Sequence, residues 1–387
     1  MLQVLPALET GGVERGTVDV AEGLAAAGWG SLVASSGGRM AREIERAGGT
    51  HVTLPLATKN PLAMRRNAAR LARLVTEHGV SLIHARSRAP AWSAWLAARA
   101  TGVPLVTTFH GTYTHGPLGL KIPYNRVMTL GARVIAISRF IAGHMHEHYH
   151  TPPERIRVIP RGVDLARFTP EAVTRARIAR LATRWRLPDD APVVLLPGRL
   201  TRWKGQALLI EAMARLNRPT VRCVIVGSDQ GRREYRHELD ALVAAHGLGG
   251  QVHIVDHCDD MPAAYRLASV VVSASLEPEA FGRVPAEAQA MGRVVVAPHH
   301  GAAPEIVEAG GSGWLFTPGD GASLADHLAV ALDLDEAAYD AMAWRGMMLT
   351  RREFAKDVMV RRTLAVYRDV LYDEAPPAEI RWHGPPA

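Results

Sequence analysis

Short apolar runs rich in β-branched residues alternate with helical patterns along almost the whole chain. The runs of the first half occupy residues 2–8, 31–34, 51–54, 81–84, 105–109, 134–137 and 157–159. Those of the second half occupy residues 193–196, 222–226, 252–255, 270–273, 293–297 and 314–316. Because parallel strands must be joined by crossovers, usually helical, this alternation predicts an α/β fold with two doubly wound parallel sheets.

The length of the chain and its turn-forming residues divide the predicted fold into two domains. A chain of 387 residues, 48% apolar and 21% charged, is long enough for two hydrophobic cores. Turn chemistry at 160–170 places the boundary near residues 165–190. We expect an N-terminal domain at 1–168, a C-terminal domain at 169–352, a helix at 353–373 that returns to the first domain, and a flexible tail at 374–387.

Cysteine usage and hydropathy indicate where such a chain works. Cys223 and Cys258 are the two cysteines, and both lie in or beside apolar runs. This pattern argues against a disulfide framework and favours a reducing compartment. No apolar stretch reaches the ~20 residues that span a bilayer, and the first residues enter a predicted strand without a charged leader. We expect a cytoplasmic protein, with the inner face of the cell membrane as a further location.

Positive charge is concentrated in the first half. Residues 1–170 contain 20 Lys and Arg against 10 Asp and Glu, whereas the remainder contains 25 against 28. Such an excess suits nucleic acid, a membrane surface or an anionic substrate. With 6% aromatic residues and no zinc-finger spacing, nucleic acid is the least favoured. Residues 59–78 interleave arginines with leucines at helical spacing, which indicates either a basic amphipathic helix on an anionic bilayer or a core-packed helix with a solvated arginine face.

The segment from Glu279 to Glu287 places two carboxylates across a turn and a predicted helix start. Pro285 suits the first helical position, because it has no N–H to leave unsatisfied. The outward-pointing amides then belong to Phe281, Gly282, Arg283 and Val284. Such a helix N-terminus holds a phosphate or a sugar oxygen, while the carboxylates accept hydrogen bonds from hydroxyls. The alternative is a capped surface helix with two solvated acids.

Two cations follow the predicted strand 193–196. Arg199 and Lys204 lie on a strand-to-helix loop, within reach of a common anion. Arginine offers a planar fork to phosphate oxygens and lysine a compact charge, so the pair can stabilise a departing diphosphate. The alternative is two solvated loop cations.

Three strand ends in the first half carry candidate site residues. Gly11 and Gly12 permit close backbone approach to a substrate, although they lack the spacing of the dinucleotide fingerprint. His110 follows the strand 105–109, where it can donate a hydrogen bond to a sugar hydroxyl or shuttle a proton. Arg86 and Arg88 follow the strand 81–84 and either meet an acidic acceptor or brace loops.

A run of histidines raises the question of a metal site. His144, His146, His148 and His150 share a helix face only in i, i+4 pairs. Surface histidines are the favoured interpretation, and no metal site is predicted.

Taken in order along the chain, these motifs resemble the retaining glycosyltransferases of family 4. The likeness rests on the Gly11-Gly12 loop, His110, Pro160-Arg-Gly-Val-Asp164, Gly198-Arg199 with Lys204-Gly205, Glu279 with Glu287, and Pro304-Glu305-Ile-Val307. The resemblance implies the GT-B fold, with two facing Rossmann-like domains and an interdomain cleft. The run 84–90 further resembles a subgroup that makes bacterial lipopolysaccharide and other envelope polysaccharides.

The resemblance also implies roles for individual residues. Arg199 and Lys204 would hold the diphosphate of a UDP- or GDP-linked sugar, Glu279 the sugar hydroxyls and Glu287 the ribose. The amides around Phe281 and Gly282 would help to hold sugar and phosphate, and His110 would contact the sugar near its reacting carbon. No metal or other cofactor would be needed, and the leaving phosphate would act as the base.

Three positions depart from the family pattern, and other functions stay open. Ala280, Arg161 and Ala302 stand where glycine, asparagine and glycine are common. The same fold also supports nucleotide-sugar epimerisation, and a binding-only scaffold would use the same donor site without turnover. The expected partners are a nucleotide-sugar, a glycan or glycolipid acceptor and an anionic membrane surface.

Overall fold

A computed structural model describes residues 1–114 and 116–385 of the chain. It comprises two compact units, one formed by residues 1–162 together with the segment from 356 onward, and the other by residues 163–355. The chain passes from one unit to the other at 162/163 and 355/356, whereas the predicted boundaries are 168/169 and 352/353. The N–H of Val163 donates to the carbonyl of Phe354 at 2.7 Å, and Phe168 is buried with its ring 6.1 Å from that of Tyr265. Residues 163–168 therefore belong to the second unit.

The described part of the first unit contains one parallel sheet of seven strands. Its strands are β1 Leu2–Val4, β2 Leu32–Ser35, β3 Thr50–Thr53, β4 Ile83–Ala85, β5 Leu105–Phe109, β6 Arg133–Ala136 and β7 Ile156–Val158. Their order is β3-β2-β1-β4-β5-β6-β7. The helices up to residue 162 are α1 Gly12–Ala26, α2 Ala41–Arg46, α3 Pro61–Glu77, α4 Arg88–Thr101, α5 Ile122–Asn125 and α6 Arg139–Tyr149.

The second unit repeats the plan with six parallel strands among its described residues. These are β8 Val193–Pro197, β9 Arg222–Val226, β10 Val252–Val255, β11 Val270–Val272, β12 Val294–Pro298 and β13 Gly313–Phe316, in the order β10-β9-β8-β11-β12-β13. Its helices are α7 Arg175–Arg184, α8 Gln206–Leu216, α9 Arg233–Ala245, α10 Met261–Leu267, α11 Arg283–Ala290, α12 Ala303–Ile306, α13 Gly321–Leu332 and α14 Glu336–Glu353. The predicted α/β class with two doubly wound sheets is confirmed.

The last helix, α15 at Lys356–Tyr372, completes the core of the first unit. Val366 and Tyr367 are fully buried in a cluster with residues of α1 and of several strands. Asp369 accepts hydrogen bonds from Arg133 at 2.8 Å and from Arg157 at 2.9 Å, which fixes the helix to β6 and β7.

Part of the segment after α15, where a flexible tail was predicted at 374–387, packs against the first unit. Ile380 is fully buried, and the ring of Trp382 lies 5.3 Å from that of His146. Burial of these two apolar side chains gives the segment a fixed place on the first unit. Residues 386–387 lie outside the described residues.

The arginine-rich segment forms α3, a helix with one buried face. Asn60 caps it by accepting from the amide of Leu62 at 2.9 Å, and Leu71 and Val75 pack inward. Arg65, Arg66 and Arg73 are exposed on the outer face, with Leu62 66% exposed beside them. Among the described residues, none of the helices combines the length and apolar character that crossing a bilayer requires.

Gly23 allows α1 and α15 to pack closely, so the addition of one methyl group at this position is expected to destabilise the protein. A Cβ atom at Gly23 would lie 2.1 Å from Cγ1 of Val360. We expect Gly23→Ala to lower the free energy of unfolding by about 1–3 kcal/mol, measured by urea denaturation. Gly30→Ala is the control, because a Cβ there meets no atom within 4 Å. Equal stability of the two variants would contradict the close packing.

Candidate functional site

Three neighbouring strands of the second unit end beside the residues that the sequence singled out. The strands β8, β11 and β12 are adjacent in the sheet, and each runs in the same direction. Since the carboxyl ends of parallel strands share one edge, the loops 198–205, 273–282 and 299–302 meet there. Lys204 comes from the first loop and Glu279 from the second.

Lys204 and Glu279 form an ion pair. The Lys204 Nζ lies 2.7 Å from Oε1 of Glu279, and both side chains are largely buried, at 15% and 21% exposure. Ser275 donates from its hydroxyl to the same oxygen. Among the described residues, Oε2 of Glu279 has no hydrogen-bond partner, so it remains able to accept from a ligand. Sequence reasoning named both residues but not their pairing.

Two glycines make this arrangement possible, and sequence reasoning gave neither a role of its own. Gly205 has φ +72°, and a Cβ there would lie 1.9 Å from the carbonyl oxygen of Ala274. A Cβ at Gly227, after β9, would lie 1.8 Å from the carbonyl oxygen of Gly198. The loops that carry Lys204 and Glu279 therefore fit together only where side chains are missing.

Arg199 lies on the same loop as Lys204 but is exposed. Its backbone carbonyl accepts from the side-chain amide of Gln206 at 2.9 Å, and Gln206 is itself fully buried. Within the described part of the chain, the Arg199 guanidinium has no hydrogen-bond or ion-pair partner. It is therefore held at its backbone and open to an anion at its tip.

Glu287 is buried and has two partners. It accepts from the Tyr265 hydroxyl at 3.0 Å and from Arg283 at 2.6 Å. Burial raises the pKa of Tyr265 well above its ordinary value, and the neighbouring carboxylate of Glu287 adds to the shift. Tyr265 thus remains a hydrogen-bond donor at neutral pH. Glu287 is therefore a buried, hydrogen-bonded carboxylate and not a solvated acid.

The helix that begins after Glu279 starts at Arg283, so Pro285 is its third residue rather than its first. The missing N–H still falls in the first turn, where amides have no intrahelical partner. Gly282, at φ +113°, precedes the helix, so the amides of Arg283 and Val284 lie in this open turn. The Phe281 side chain packs inward, 5.7 Å from the ring of Phe354, which leaves only its backbone for a ligand.

In the first unit, β1, β4 and β5 are neighbours, and their carboxyl ends bring Gly12, Arg86 and His110 to one edge. Arg161, which follows β7, donates to Nδ1 of His110 at 2.9 Å. The Arg161 guanidinium also occupies the space above Gly12, where a Cβ would lie 2.2 Å from it. Gly12 therefore makes room for an arginine of the protein itself. A Cβ at Gly11 would meet the Glu14 carboxylate at 2.4 Å.

Both arginines of the predicted acceptor site brace the first unit. Arg86 is 5% exposed and donates to Oε1 of Gln3 at 2.7 Å. Arg88 donates to Asn125 at 2.9 Å and lies 4.1 Å above the ring of Tyr113. Acceptor binding by these residues stays a prediction.

A buried polar network lies behind His110 and was not predicted. His84 is fully buried between the hydroxyls of Tyr367 at 2.6 Å and Thr108 at 2.7 Å. Burial holds the pKa of His84 well below its ordinary value, and Arg86 lowers it further. His84 is therefore a neutral, structural histidine. Its place at the end of the apolar run 81–84 was the available sequence signal.

The run of histidines lies on α6 and the residue after it, with His148 and His150 exposed. The rings of His144 and His148 are 4.6 Å apart. Within residues 1–114 and 116–385, no group of three or more His, Cys, Asp or Glu side chains is arranged to hold a metal ion.

Comparison with known proteins defines the class. Residues 10–167 match the profile of Glycosyltransferase Family 4, and residues 179–343 match Glycosyl transferases group 1. The structure of a glycosyltransferase from Rickettsia africae superimposes with a TM-score of 0.90 at 32% identity, over 96% of this chain and 98% of that one. HepE of Anabaena, solved with UDP and glucose, superimposes with a TM-score of 0.80 over 95% and 98% of the two chains. At 24% identity, this second likeness shows the fold alone.

Relatives by sequence narrow the class to a family. The D-inositol 3-phosphate glycosyltransferase of Xylanimonas cellulosilytica is 33% identical over 307 residues, which are 76% of this chain and 72% of that protein. The Salinispora tropica protein of the same name is also 33% identical, and the match spans 75% of this chain but only 64% of that protein. The fold is that of the GT-B glycosyltransferases. This chain belongs to glycosyltransferase family 4, and it is a transferase, as its motifs predicted.

Proposed function

We propose that this protein is a retaining, metal-independent glycosyltransferase that moves a sugar from a nucleotide-sugar to a glycan or glycolipid of the bacterial envelope, such as lipopolysaccharide. The observation that carries the donor site is the Lys204–Glu279 pair at the carboxyl edge of β8 and β11. It sets a cation and a carboxylate side by side, beside the open turn of α11. A diphosphate and the hydroxyls of its sugar need this combination of partners.

In this proposal, Lys204 and Arg199 of the second unit bind the diphosphate that leaves. Lys204 lies over the Trp203 ring at 4.4 Å and is held by Glu279, so its ammonium group is already in place. Arg199 adds a planar fork from the same loop. A preorganised cation costs no reorganisation as negative charge develops on the departing phosphate, and removal of one such donor costs about 10²–10³ in rate.

Glu279 binds hydroxyls in this proposal and does not act as the base. Its Oε1 already accepts from Lys204 and Ser275, which leaves Oε2 for the sugar. With one oxygen already occupied by two donors, Glu279 serves as a hydrogen-bond acceptor in this proposal. The bond between the anomeric carbon and the phosphate oxygen then breaks as the acceptor oxygen bonds to that carbon on the same face. The acceptor proton passes to the leaving phosphate, and the anomeric configuration is retained.

Nucleotide binding is the first test. Uridine diphosphate leads the set because the Anabaena protein was solved with it, and GDP, ADP and CMP complete the series. We expect calorimetry to show binding of one nucleotide, and Lys204→Ala to weaken that binding and to lower transfer by about 10²–10³. Arg202→Ala is the matched control, because Arg202 lies in the same short turn but pairs with the exposed Glu238. Failure of the folded wild-type protein to bind any nucleotide would refute the donor site.

The acceptor has two candidates, because the sequence relatives are named for D-inositol 3-phosphate. Radiolabelled donor is incubated with rough lipopolysaccharide, with D-inositol 3-phosphate, or alone, each with and without EDTA. We expect transfer to the lipopolysaccharide, undiminished by EDTA, with the anomeric configuration of the donor kept in the product. Transfer to the inositol phosphate would show that the acceptor is an inositol phosphate and not an envelope glycan. Loss of transfer with EDTA would refute metal independence. Conversion of the donor in the absence of an acceptor would indicate an epimerase.

We also propose that the outer face of α3 contacts an anionic membrane surface. The specific observation is the exposed set Arg65, Arg66 and Arg73 with Leu62 beside it. Each basic residue near an anionic bilayer contributes about 1 kcal/mol to its attraction. We expect sedimentation with phosphatidylglycerol vesicles but not with phosphatidylcholine vesicles.

Charge reversal of the three exposed arginines of α3, Arg65, Arg66 and Arg73, to Glu should abolish that sedimentation. Reversal of Arg232 and Arg233, two exposed arginines of the second unit, should leave it intact. Equal sedimentation of the two variants would remove α3 from the contact.

A further inference from the structure

The hydrogen bond between Arg161 and His110 determines which ring nitrogen of His110 carries the proton. Nη2 of Arg161 lies 2.9 Å from Nδ1 of His110. A guanidinium group has only donors, so Nδ1 must be the acceptor. In a neutral imidazole the other nitrogen then carries the hydrogen. His110 is therefore the Nε2–H tautomer, and its free nitrogen is a donor.

Nε2 of His110 is buried and has no hydrogen-bond partner among the described residues. It lies at a cavity of about 20 Å³, which is room for about one water molecule. The walls include Gly12, Arg86, Thr108 and Arg161. A buried donor without a partner is costly, so this nitrogen is poised for a ligand.

The backbone holds Arg161 in place. Gly12 leaves the volume that the guanidinium fills. Gly162, the next residue after Arg161, packs against α15, where a Cβ would lie 2.6 Å from Cα of Lys356, and its amide donates to Sδ of Met359 at 3.2 Å. The arginine is thus set by contacts with both the first and the last helix of the unit.

We propose that Arg161 is a positioning residue that fixes His110 as a neutral hydrogen-bond donor to the transferred sugar, and that His110 does not shuttle protons. This inference rests on the proposed function for its substrate. It resolves the two roles that the sequence left open for His110. It also gives a purpose to Arg161, which stands where asparagine is common in the family.

Burial and neighbouring basic groups oppose the protonation of His110. Burial holds the pKa of His110 well below its ordinary value, and Arg161, Arg86 and His84 lower it further. The Tyr113 hydroxyl bonds to the His110 backbone, but burial raises its pKa to about 12, so it stays neutral.

Most of the other described residues that line the cavity are apolar or uncharged. Helix α15 contributes Met359 and Thr363 to the cavity wall. Strand β6 and the residue after it contribute Ile135 and Ile137, and α1 contributes only glycines. Asp19 acts on Arg86 rather than on the ring. A proton on Nδ1 would therefore point at the guanidinium of Arg161, which itself has only donors.

The tautomer is measured in the free protein by ¹⁵N NMR of labelled histidine, with His110→Gln to assign the signal. We expect the wild type to keep Nε2–H from pH 8 to pH 5. In Arg161→Met, Nδ1 loses its donor and the cation is gone, so the pKa of His110 rises and its signal titrates at higher pH than in the wild type. Arg161→Lys keeps both the donor and the charge and should restore the wild-type behaviour. An Nδ1–H signal in the wild type, or identical titration in all three proteins, would overturn the inference.

Kinetics then test the catalytic consequence. For Arg161→Met we expect kcat to fall about tenfold at pH 8 and further as the pH falls to 6, with KM for the donor nearly unchanged. Arg161→Lys should retain most of the activity. A uniform loss with an unshifted pH profile would indicate a merely structural arginine and overturn the inference.

The two measurements separate the two proposals. If no donor supports transfer but the NMR result is as expected, the proposed function fails and the fixed tautomer stands. If transfer proceeds and His110 titrates alike in all variants, the proposed function stands and the role of Arg161 fails. Should Arg161→Met not fold, the wild-type tautomer and the Lys variant still decide the question.

Discussion

Parallel strand pairing is the constraint on which the cluster of candidate site residues in each unit depends. In the second unit, β8 pairs with β11 and β11 with β12, so loops far apart in the chain end at one edge. Lys204 and Glu279 are 75 positions apart and meet only because of this order. In the first unit, β1 pairs with β4 and β4 with β5, which brings Gly12, Arg86 and His110 together in the same way. The candidate site residues therefore lie at the carboxyl ends of the strands, because the strand order brings the loops that carry them together there.

The sequence predicts the class of fold well, because hydropathy records each strand and helix directly. It cannot predict which strands are neighbours, and pairings such as Lys204 with Glu279 follow from that order. Arg86 shows the limit most clearly. It was an acceptor candidate by position, yet Gln3 on the adjacent β1 takes its guanidinium into the interior. Burial of Ile380 and Trp382 likewise depends on a surface that the local sequence does not describe.

The first unit contains hydrogen-bonded networks of buried polar groups that join its strands to α15. His84, Tyr367 and Thr108 form one buried chain of hydrogen bonds, and Asp369 joins Arg133 to Arg157. Partly satisfied networks of this kind are costly, so each depends on every member being present. The geometry at His110 therefore depends on the packing of α15, the helix that supplies Tyr367.

That helix follows the whole second unit along the chain, which sets an order of folding during synthesis. The second unit is continuous from 163 to 355 and can close once that stretch has left the ribosome. The first unit begins earlier in the chain but lacks Tyr367 and Asp369 until α15 has been synthesised, so His84, Arg133 and Arg157 lack these partners until then. Domains usually fold in the order of their synthesis. Here the unit that begins first is completed after the second unit, and a chain released before α15 would contain a complete second unit and an incomplete first one.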